Sequence, residues 1–222
     1  MTDTRDPKDF IRSQTVLLAP PLTPEIQLYL ATEITPIWQA TEETLATGNI
    51  PPPYWAFAWP GGQALTRYLL DNPGWVKERR VLDFAAGSGL TAIGVAKAGA
   101  AMIEAAEIDA FAIAAIELNA AANDVVIKVI QDDVIGHGLA EEAGRWDVVL
   151  AGDVCYEKPM AERVIAWFRQ LATRGVTILM GDPGRAYLPG NGLVEVARYR
   201  VPTSLELEDR MERETIVWRL MP

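Results

Sequence analysis

From Arg79 onward the sequence alternates short apolar runs with longer helical ones, and that alternation leaves few folds open. Apolar runs near residues 80–84, 102–107, 126–130, 147–152 and 176–181 read as buried strands, and helical spacing covers 90–99, 110–122 and 160–172. Repetition of this kind predicts an α/β fold, a parallel sheet with helices on both faces. The tail departs from the pattern. Residues 193–201 and 213–220 read as two further strands, joined by an acidic stretch from Glu206 to Arg210 and with no crossover helix between them. An antiparallel terminal hairpin is expected there, giving seven strands in all.

The first fifty residues read as a helical extension before a single globular unit spanning 51–222. Thr23-Pro24-Glu25 has the form of a helix start, with Thr at the N-cap and Pro just inside. Ile26, Leu30, Ile34, Ile37 and Trp38 recur at helical spacing, Pro36 should kink the helix, and Gly48 should end it. A proline and aromatic run from Pro51 to Gly62 follows, too rich in proline for a central strand. A helix over 63–70 and a turn at Asn72-Pro73-Gly74 lead into the alternating region.

The chemistry concentrates where strands end. Val81-Leu82-Asp83-Phe84-Ala85-Ala86-Gly87-Ser88-Gly89 is a strand, an acid, a glycine turn and a helix start. Gly87 and Gly89 let the backbone turn tightly and approach a ligand, and the helix from Leu90 presents free N–H groups to it. Gly87 to Ala92 also fits the dinucleotide pattern G-x-G-x-x-A, with an acid roughly 20 residues on. Asp83 stands in front of those glycines, and an anion there repels a pyrophosphate. It suits S-adenosylmethionine, whose sulfonium and ammonium groups are cationic. A methyl donor, NAD, and a glycine turn without a ligand are the three readings.

The remaining acids follow the strands in order. Asp83 would hold the methionine end of the donor, and Glu107 would accept from both ribose hydroxyls. Asp109 is either a second ribose contact or the N-cap of the helix from Ala110. Asp132 and Asp133 would accept from an adenine amine or simply form a turn. Asp153 and Tyr156 either put an acid and a phenol at the active edge, next to the transferred methyl, or are a loop acid and a core aromatic. Cys155 between them reads as packing, since no histidine stands by it. In the run before the domain, Trp55, Phe57 and Trp59 alternate, so an extended chain would put them on one face. That face is either a clamp on the core or an aromatic wall for a sulfonium or a lysine ammonium.

Composition narrows the substrate. Thirty acidic residues against twenty basic ones give a formal charge of −10, and the densest basic group is only Lys77, Arg79 and Arg80. DNA and RNA need basic clusters, so neither is an expected substrate. Such a surface draws a basic protein segment instead. With one cysteine, Cys155, and one histidine, His137, neither a metal cluster nor a Ser-His-Asp triad is expected. Asp3, Asp6 and Asp9 give the N-terminus the character of neither a signal nor a transit peptide. Ala110–Ala122, with Glu117 inside it, is too short to span a bilayer, so no membrane association and a cytoplasmic location are expected.

Four separated motifs resemble one family. Trp55-Ala56-Phe57-Ala58-Trp59-Pro60-Gly61-Gly62-Gln63-Ala64-Leu65-Thr66-Arg67-Tyr68-Leu69 is similar to the electron transfer flavoprotein β-subunit lysine methyltransferases. So are Thr23 to Leu28, Asp153-Val154-Cys155-Tyr156, which matches a D-x-x-Y motif of the wider lysine methyltransferase group, and Gly181-Asp182-Pro183-Gly184-Arg185. The resemblance runs from about residue 22 to Trp218. It departs only at the glycine loop, where Leu90 and Thr91 replace a polar-rich turn. It implies a Rossmann-like, seven-stranded class I methyltransferase sheet with an N-terminal helical addition. It also implies S-adenosylmethionine as donor, S-adenosylhomocysteine as product, and lysines of the flavoprotein β subunit as acceptors. Asp153 and Tyr156 would be catalytic and Trp59 would line the donor site. Without an Arg-rich leader the chain resembles a bacterial, cytoplasmic member. A ribosomal protein target and a non-catalytic S-adenosylmethionine-binding module are the alternatives.

Overall fold

The computed structural model describes residues 6–32, 52–139 and 144–222. Helix α1 (Pro7–Gln14) starts at Asp6, whose carboxylate accepts from the Lys8 N–H. Strands β1 (Val16–Leu18) and β2 (Leu28–Leu30) then form an antiparallel pair. Helix α2 (Pro60–Asp71) leads into β3 (Arg80–Phe84), α3 (Leu90–Lys97), β4 (Met102–Ala106), α4 (Ala110–Ala122) and β5 (Lys128–Ile130). The second half comprises β6 (Val148–Gly152), α5 (Lys158–Thr173), β7 (Thr177–Asp182), β8 (Leu193–Pro202), the short α6 (Leu205–Glu208) and β9 (Glu212–Leu220).

The seven strands lie in the order β5-β4-β3-β6-β7-β9-β8. β5 through β7 are parallel, and β9 runs antiparallel to both β7 and β8. The expected terminal hairpin is therefore present, with its second strand inserted next to β7. The chain leaves β3 in both directions, toward β4 and later toward β6, so the crevice of an open α/β sheet opens above that pair. Alternation sorts the core. Leu82, Phe84, Val149, Ala151, Ile178 and Met180 face α5 with its Trp167 and Phe168. Val81, Val148, Leu150 and Leu179 face the opposite layer, where α2, α3 and α4 supply Leu65, Val95 and Ile116.

The N-terminal region corrects the expectation of a long helix. Thr23-Pro24-Glu25 starts none: residues 24–25 make a turn, and Leu28–Leu30 is a strand. The cause is tertiary. Asn123 on α4 accepts from the Gln27 N–H at 3.0 Å and donates to the Gln27 carbonyl at 2.6 Å. Asn119, one turn earlier, accepts from the Tyr29 N–H at 2.8 Å. These amides replace the partners a helix would have provided within itself, and Ile26, Leu28 and Leu30 bury against Leu90 and Ile93. Ile34, Pro36, Ile37, Trp38 and Gly48 lie outside the described residues.

One seam of bare backbone sets the position of α2. A Cβ on Gly61 would collide with the Gly181 carbonyl, and a Cβ on Gly181 would collide with the Gly61 carbonyl. A Cβ on Gly152 would lie 2.8 Å from the Gly62 nitrogen. The first turn of α2 thus rests directly on the carboxyl ends of β6 and β7, closer than any side chain permits. Gly181→Ala should cost about 3 kcal/mol or more, as overpacking against rigid backbone does. Gly74→Ala, where a Cβ meets nothing within 4 Å, should stay within about 0.5 kcal/mol of wild type. Urea unfolding of both variants checks this, and equal stabilities would refute the seam.

Candidate active site

The turn between β3 and α3 is held open by its own carboxylates. Ala85, Gly87 and Gly89 all take positive φ values of 52°, 53° and 77°. Ala85 adopts a conformation that costs a residue with a Cβ, and nothing in its sequence announces that. Asp83 is buried, and its Oδ2 accepts the Ala92 N–H at 2.9 Å, in the first turn of α3. Burial pushes its carboxyl up to about 7, against the pull of that N–H and with a further push from Glu107. Glu107, just past β4, accepts the Gly87 N–H at 3.0 Å through one oxygen. Its other oxygen takes the N–H groups of Ile108 at 2.8 Å and Asp109 at 3.2 Å. Asn119 closes the loop from behind by donating to the Ser88 carbonyl at 2.8 Å.

These bonds bear on which ligand fits. A pyrophosphate would need the N–H groups of the glycine turn and the helix start. Gly87 and Ala92 have already given theirs to carboxylates. What faces the crevice is acceptor oxygen, which suits hydroxyls, amines and cations and disfavours a dinucleotide.

The crevice is a cavity of about 490 Å³, within the range of small-molecule sites. It brings together Gly87, Glu107, Asp109, Asp132 and Asp133 on one side and Trp59, Asp153 and Tyr156 on the other. Asp83 lines a smaller adjoining cleft of about 60 Å³, which shares Trp59, Gly87 and Asp153 with the main cavity. Gly89 lines neither. A Cβ there would meet Ile116 of α4 at 3.2 Å, so this glycine serves the packing of loop on helix. Asp109 caps α4 by accepting the Phe111 N–H at 2.9 Å, and burial raises its pKa. Asp133 accepts from the Ile135 N–H at 3.0 Å and from Arg163 at 2.8 Å, which hold it below the ordinary carboxylate range. Asp132 stands exposed beside it.

On the far side, Asp153 follows β6 with a positive φ of 57° and is only 8% exposed. Its Oδ2 accepts the Gly62 N–H at 3.2 Å, at the start of α2. Its Oδ1 accepts two bonds from Arg185, at 3.1 and 2.7 Å. Burial pushes the carboxyl up to about 6, with the guanidinium working against it. Tyr156 is 44% exposed, and its ring centroid lies 5.7 Å from that of Tyr54, which in turn stands 5.9 Å from Trp59. Arg185 lies over the Trp59 ring, 5.6 Å from its centre. Cys155 is fully buried, and burial with the nearby Asp182 and Asp153 pushes its thiol up to about 12. A pKa raised in this way disfavours the nucleophilic thiolate, in keeping with its reading as packing.

The aromatic run is not extended throughout, although Phe57 packs in one cluster with Trp55 and lies 5.9 Å from Trp59, ring centre to ring centre. Tyr54–Ala56 is a tight 3₁₀ turn, not an extended stretch. It turns Trp55 into the interface with α4, where its indole N–H has no partner among the described residues, and leaves Tyr54 beside Trp59 at the cavity mouth. The Trp59 indole donates to the Tyr54 carbonyl at 2.8 Å and locks the pair. Sequence reasoning assigned no role to Arg185 or Asn119. Arg185 could have been suspected, because it follows the last parallel strand at the end where ligands bind.

Residues 64–179 match the family described as ribosomal protein L11 methyltransferase (PrmA). The chain is 35% identical over 227 residues to the electron transfer flavoprotein beta subunit lysine methyltransferase of Xenopus laevis, covering 100% of this chain and 89% of that one. It is 37% identical over 206 residues to the Homo sapiens protein of the same name, covering 90% and 76%. Among solved structures, magnesium protoporphyrin IX methyltransferase from Synechocystis PCC 6803 with bound SAM superposes with a TM-score of 0.52. That match is 16% identical and covers 72% of this chain and 78% of that one, a likeness of fold.

The buried acid of the glycine turn can be tested without any ligand. A carboxyl whose pKa rises on folding from 3.8 to about 7 favours the protonated fold. Its contribution therefore declines as pH climbs from about 4 to about 7, by up to roughly 4 kcal/mol. Asp83→Asn removes that titration. The stability of Asp83→Asn relative to wild type should rise across this window and level off above it. Denaturant melts at intervals of pH measure the difference, and a flat difference would show that Asp83 is not strained by burial.

Proposed function

The chain belongs to the electron transfer flavoprotein β-subunit lysine methyltransferase family, with its central portion matching the ribosomal protein L11 methyltransferase (PrmA) family, and from that membership we propose that it methylates lysine side chains of the electron transfer flavoprotein β subunit. The observation that carries the reading is the occupied glycine turn: Glu107 and Asp83 take the N–H groups of Gly87 and Ala92. A site so built favours a cationic nucleoside donor, S-adenosylmethionine. When bound, this donor supplies a sulfonium methyl group to a nitrogen lone pair and departs as a neutral thioether.

The chain's own residues would divide the work as follows. Glu107 retains acceptor capacity beyond its three backbone bonds for the ribose hydroxyls. Asp83, above its pKa, attracts the donor's ammonium group. Asp132 and Asp133 offer acceptors at the adenine end, with Asp109 fixing the helix beside them. Gly87 leaves room for the donor, since a Cβ there would meet only open space. On the acceptor side, Tyr54, Trp59 and Tyr156 form an aromatic wall that excludes water and favours a cationic or incipiently cationic amine. Asp153 receives and orients the amine. Holding the nitrogen in line accounts for several kcal/mol of barrier, in the manner of any enforced approach.

The match to ribosomal protein L11 methyltransferase favours a second reading, a lysine of a ribosomal protein as acceptor. Incubation with labelled S-adenosylmethionine separates the two. Label should enter the flavoprotein β subunit and not RNA or DNA. Label in a ribosomal protein alone moves the assignment to the second reading, and label in nucleic acid overturns both. Asp153→Asn keeps the shape and tolerates the positive φ. It should lower turnover more than about tenfold, as loss of a positioned group does, with donor affinity little changed. Tyr156→Phe separates the ring from the hydroxyl. Wild-type turnover in Asp153→Asn would displace the catalytic assignment from this motif.

A further inference from the structure

We propose that Arg185 is a positioning residue that cancels the field of Asp153, so that a lysine amine can rest against that carboxylate without being held in its protonated form. The inference rests on the lysine-methylation reading above. It answers a conflict within that reading. An amine must be neutral to attack, yet a carboxylate beside it stabilises the ammonium form and raises its pKa. A lone aspartate at this position would capture the substrate and disarm it.

The geometry resolves the conflict. Arg185 places both of its bonds on the same oxygen, Oδ1 of Asp153, at 3.1 and 2.7 Å. Oδ2 carries a single bond, from the Gly62 N–H at 3.2 Å, and so keeps an acceptor position for an amine N–H. The other edge of the guanidinium is held by Glu208 of α6, with Nη1 at 3.2 Å from Oε2 and Nη2 bonded to Oε1. Glu208 is 4% exposed and also accepts from Arg213 of β9 at 2.9 Å. Two carboxylates and two guanidiniums thus alternate from the cavity to the partly exposed Arg213, and these four groups carry no net charge. Burial makes the balance matter, because charges in a dry site are poorly screened.

Other titratable groups also stand around Asp153, and one of them, Asp182, adds negative charge beside the set. Asp182, at the end of β7, commits Oδ1 to the N–H groups of Gly184 and Arg185, both at 2.7 Å, which fixes the backbone that carries the guanidinium. Its Oδ2 has no partner among the described residues, burial raises its pKa, and its charge adds to the upward push of burial on Asp153, so it is one more carboxylate that Arg185 offsets. Cys155 stays protonated, and burial likewise raises the pKa of Tyr156. Across the cavity, Tyr54 is a phenol, Glu107 is bonded to three N–H groups, Asp133 is paired with Arg163, and Asp109 and Asp132 lie on the glycine-turn side.

The pH profile of kcat at saturating flavoprotein β subunit reports the bound amine. In Arg185→Gln the rising limb should move to higher pH by about one unit or more, with turnover at pH 7.5 down at least about tenfold and much of it regained near pH 10. The KM for the protein substrate should not rise, since Asp153 binds the ammonium form more tightly. Arg185→Lys should lie between the two. Arg185→Gln leaves buried Asp153 without its cation and could unfold the chain, so Glu208→Gln provides the opposite arm. It removes a negative charge, leaves Arg185 on Asp153, and should move the limb to lower pH. Shifts of opposite sign in the two variants support the proposal. Losses uniform in pH, or weakened S-adenosylmethionine binding by calorimetry with no shift, make Arg185 merely structural and overturn it. A wild type that methylates no lysine overturns the underlying reading instead, and the inference with it.

Discussion

Everything around the cavity depends on two carbonyls being allowed to approach two bare α-carbons. Because Gly61 and Gly181 have no side chains, the first turn of α2 lies on the ends of β6 and β7. From that contact follow the Gly62 N–H on Asp153, the left-handed backbone of Asp153 itself, and the place of Trp59 one residue before the helix. The aromatic wall is thereby tied to the sheet through backbone, the least compliant part of the chain. A glycine seam gains no apolar area. It gives up burial for precision, and the neighbouring Trp167, Phe168 and Leu65 supply the burial elsewhere.

The carboxylates of the site serve two ends at once. Asp83, Glu107, Asp109 and Asp153 each sit where a helix start or glycine turn exposes N–H groups, and each takes at least one of them. The acids therefore act as cross-links of the cavity wall, in addition to the proposed role as ligand acceptors. This backbone bonding explains why three of them, Asp83, Asp109 and Asp153, tolerate burial that drives their pKa values up: the N–H groups soften a cost that remains substantial. It also makes the cavity self-consistent with a cationic ligand, which would relieve the strain that the acids store.

Much of this was legible from the sequence, for a physical reason. Buried parallel strands are apolar throughout, so β3, β4, β6 and β7 stand out, and the acid that ends a strand necessarily lies on the ligand edge. Thus Asp83, Glu107, Asp153 and Tyr156 could be placed from pattern alone. The N-terminal arm could not. Its helix signals at Thr23 and Pro24 are genuine, but side chains of Asn119 and Asn123, about ninety residues away, offer its backbone better partners. The turn at Tyr54–Ala56 could not be read from alternation either, since alternation describes only extended chain. Arg185 was hidden because its meaning lies in Asp153, 32 residues before it, and Glu208, 23 residues after it. Such relations belong to the assembled fold and leave no local periodicity.

Asn119 joins two distant parts of the chain through a single side chain. One amide group donates to the Ser88 carbonyl in the glycine turn and accepts from Tyr29 in the N-terminal strand pair. Its two bonds share a rigid plane, so the turn and the strand pair cannot loosen independently of that plane. Fluctuations of the arm and occupancy of the turn then become linked quantities. Deuterium uptake at the Tyr29 amide becomes a remote gauge of how tightly the turn is held, read on a strand that lines neither the cavity nor the adjoining cleft.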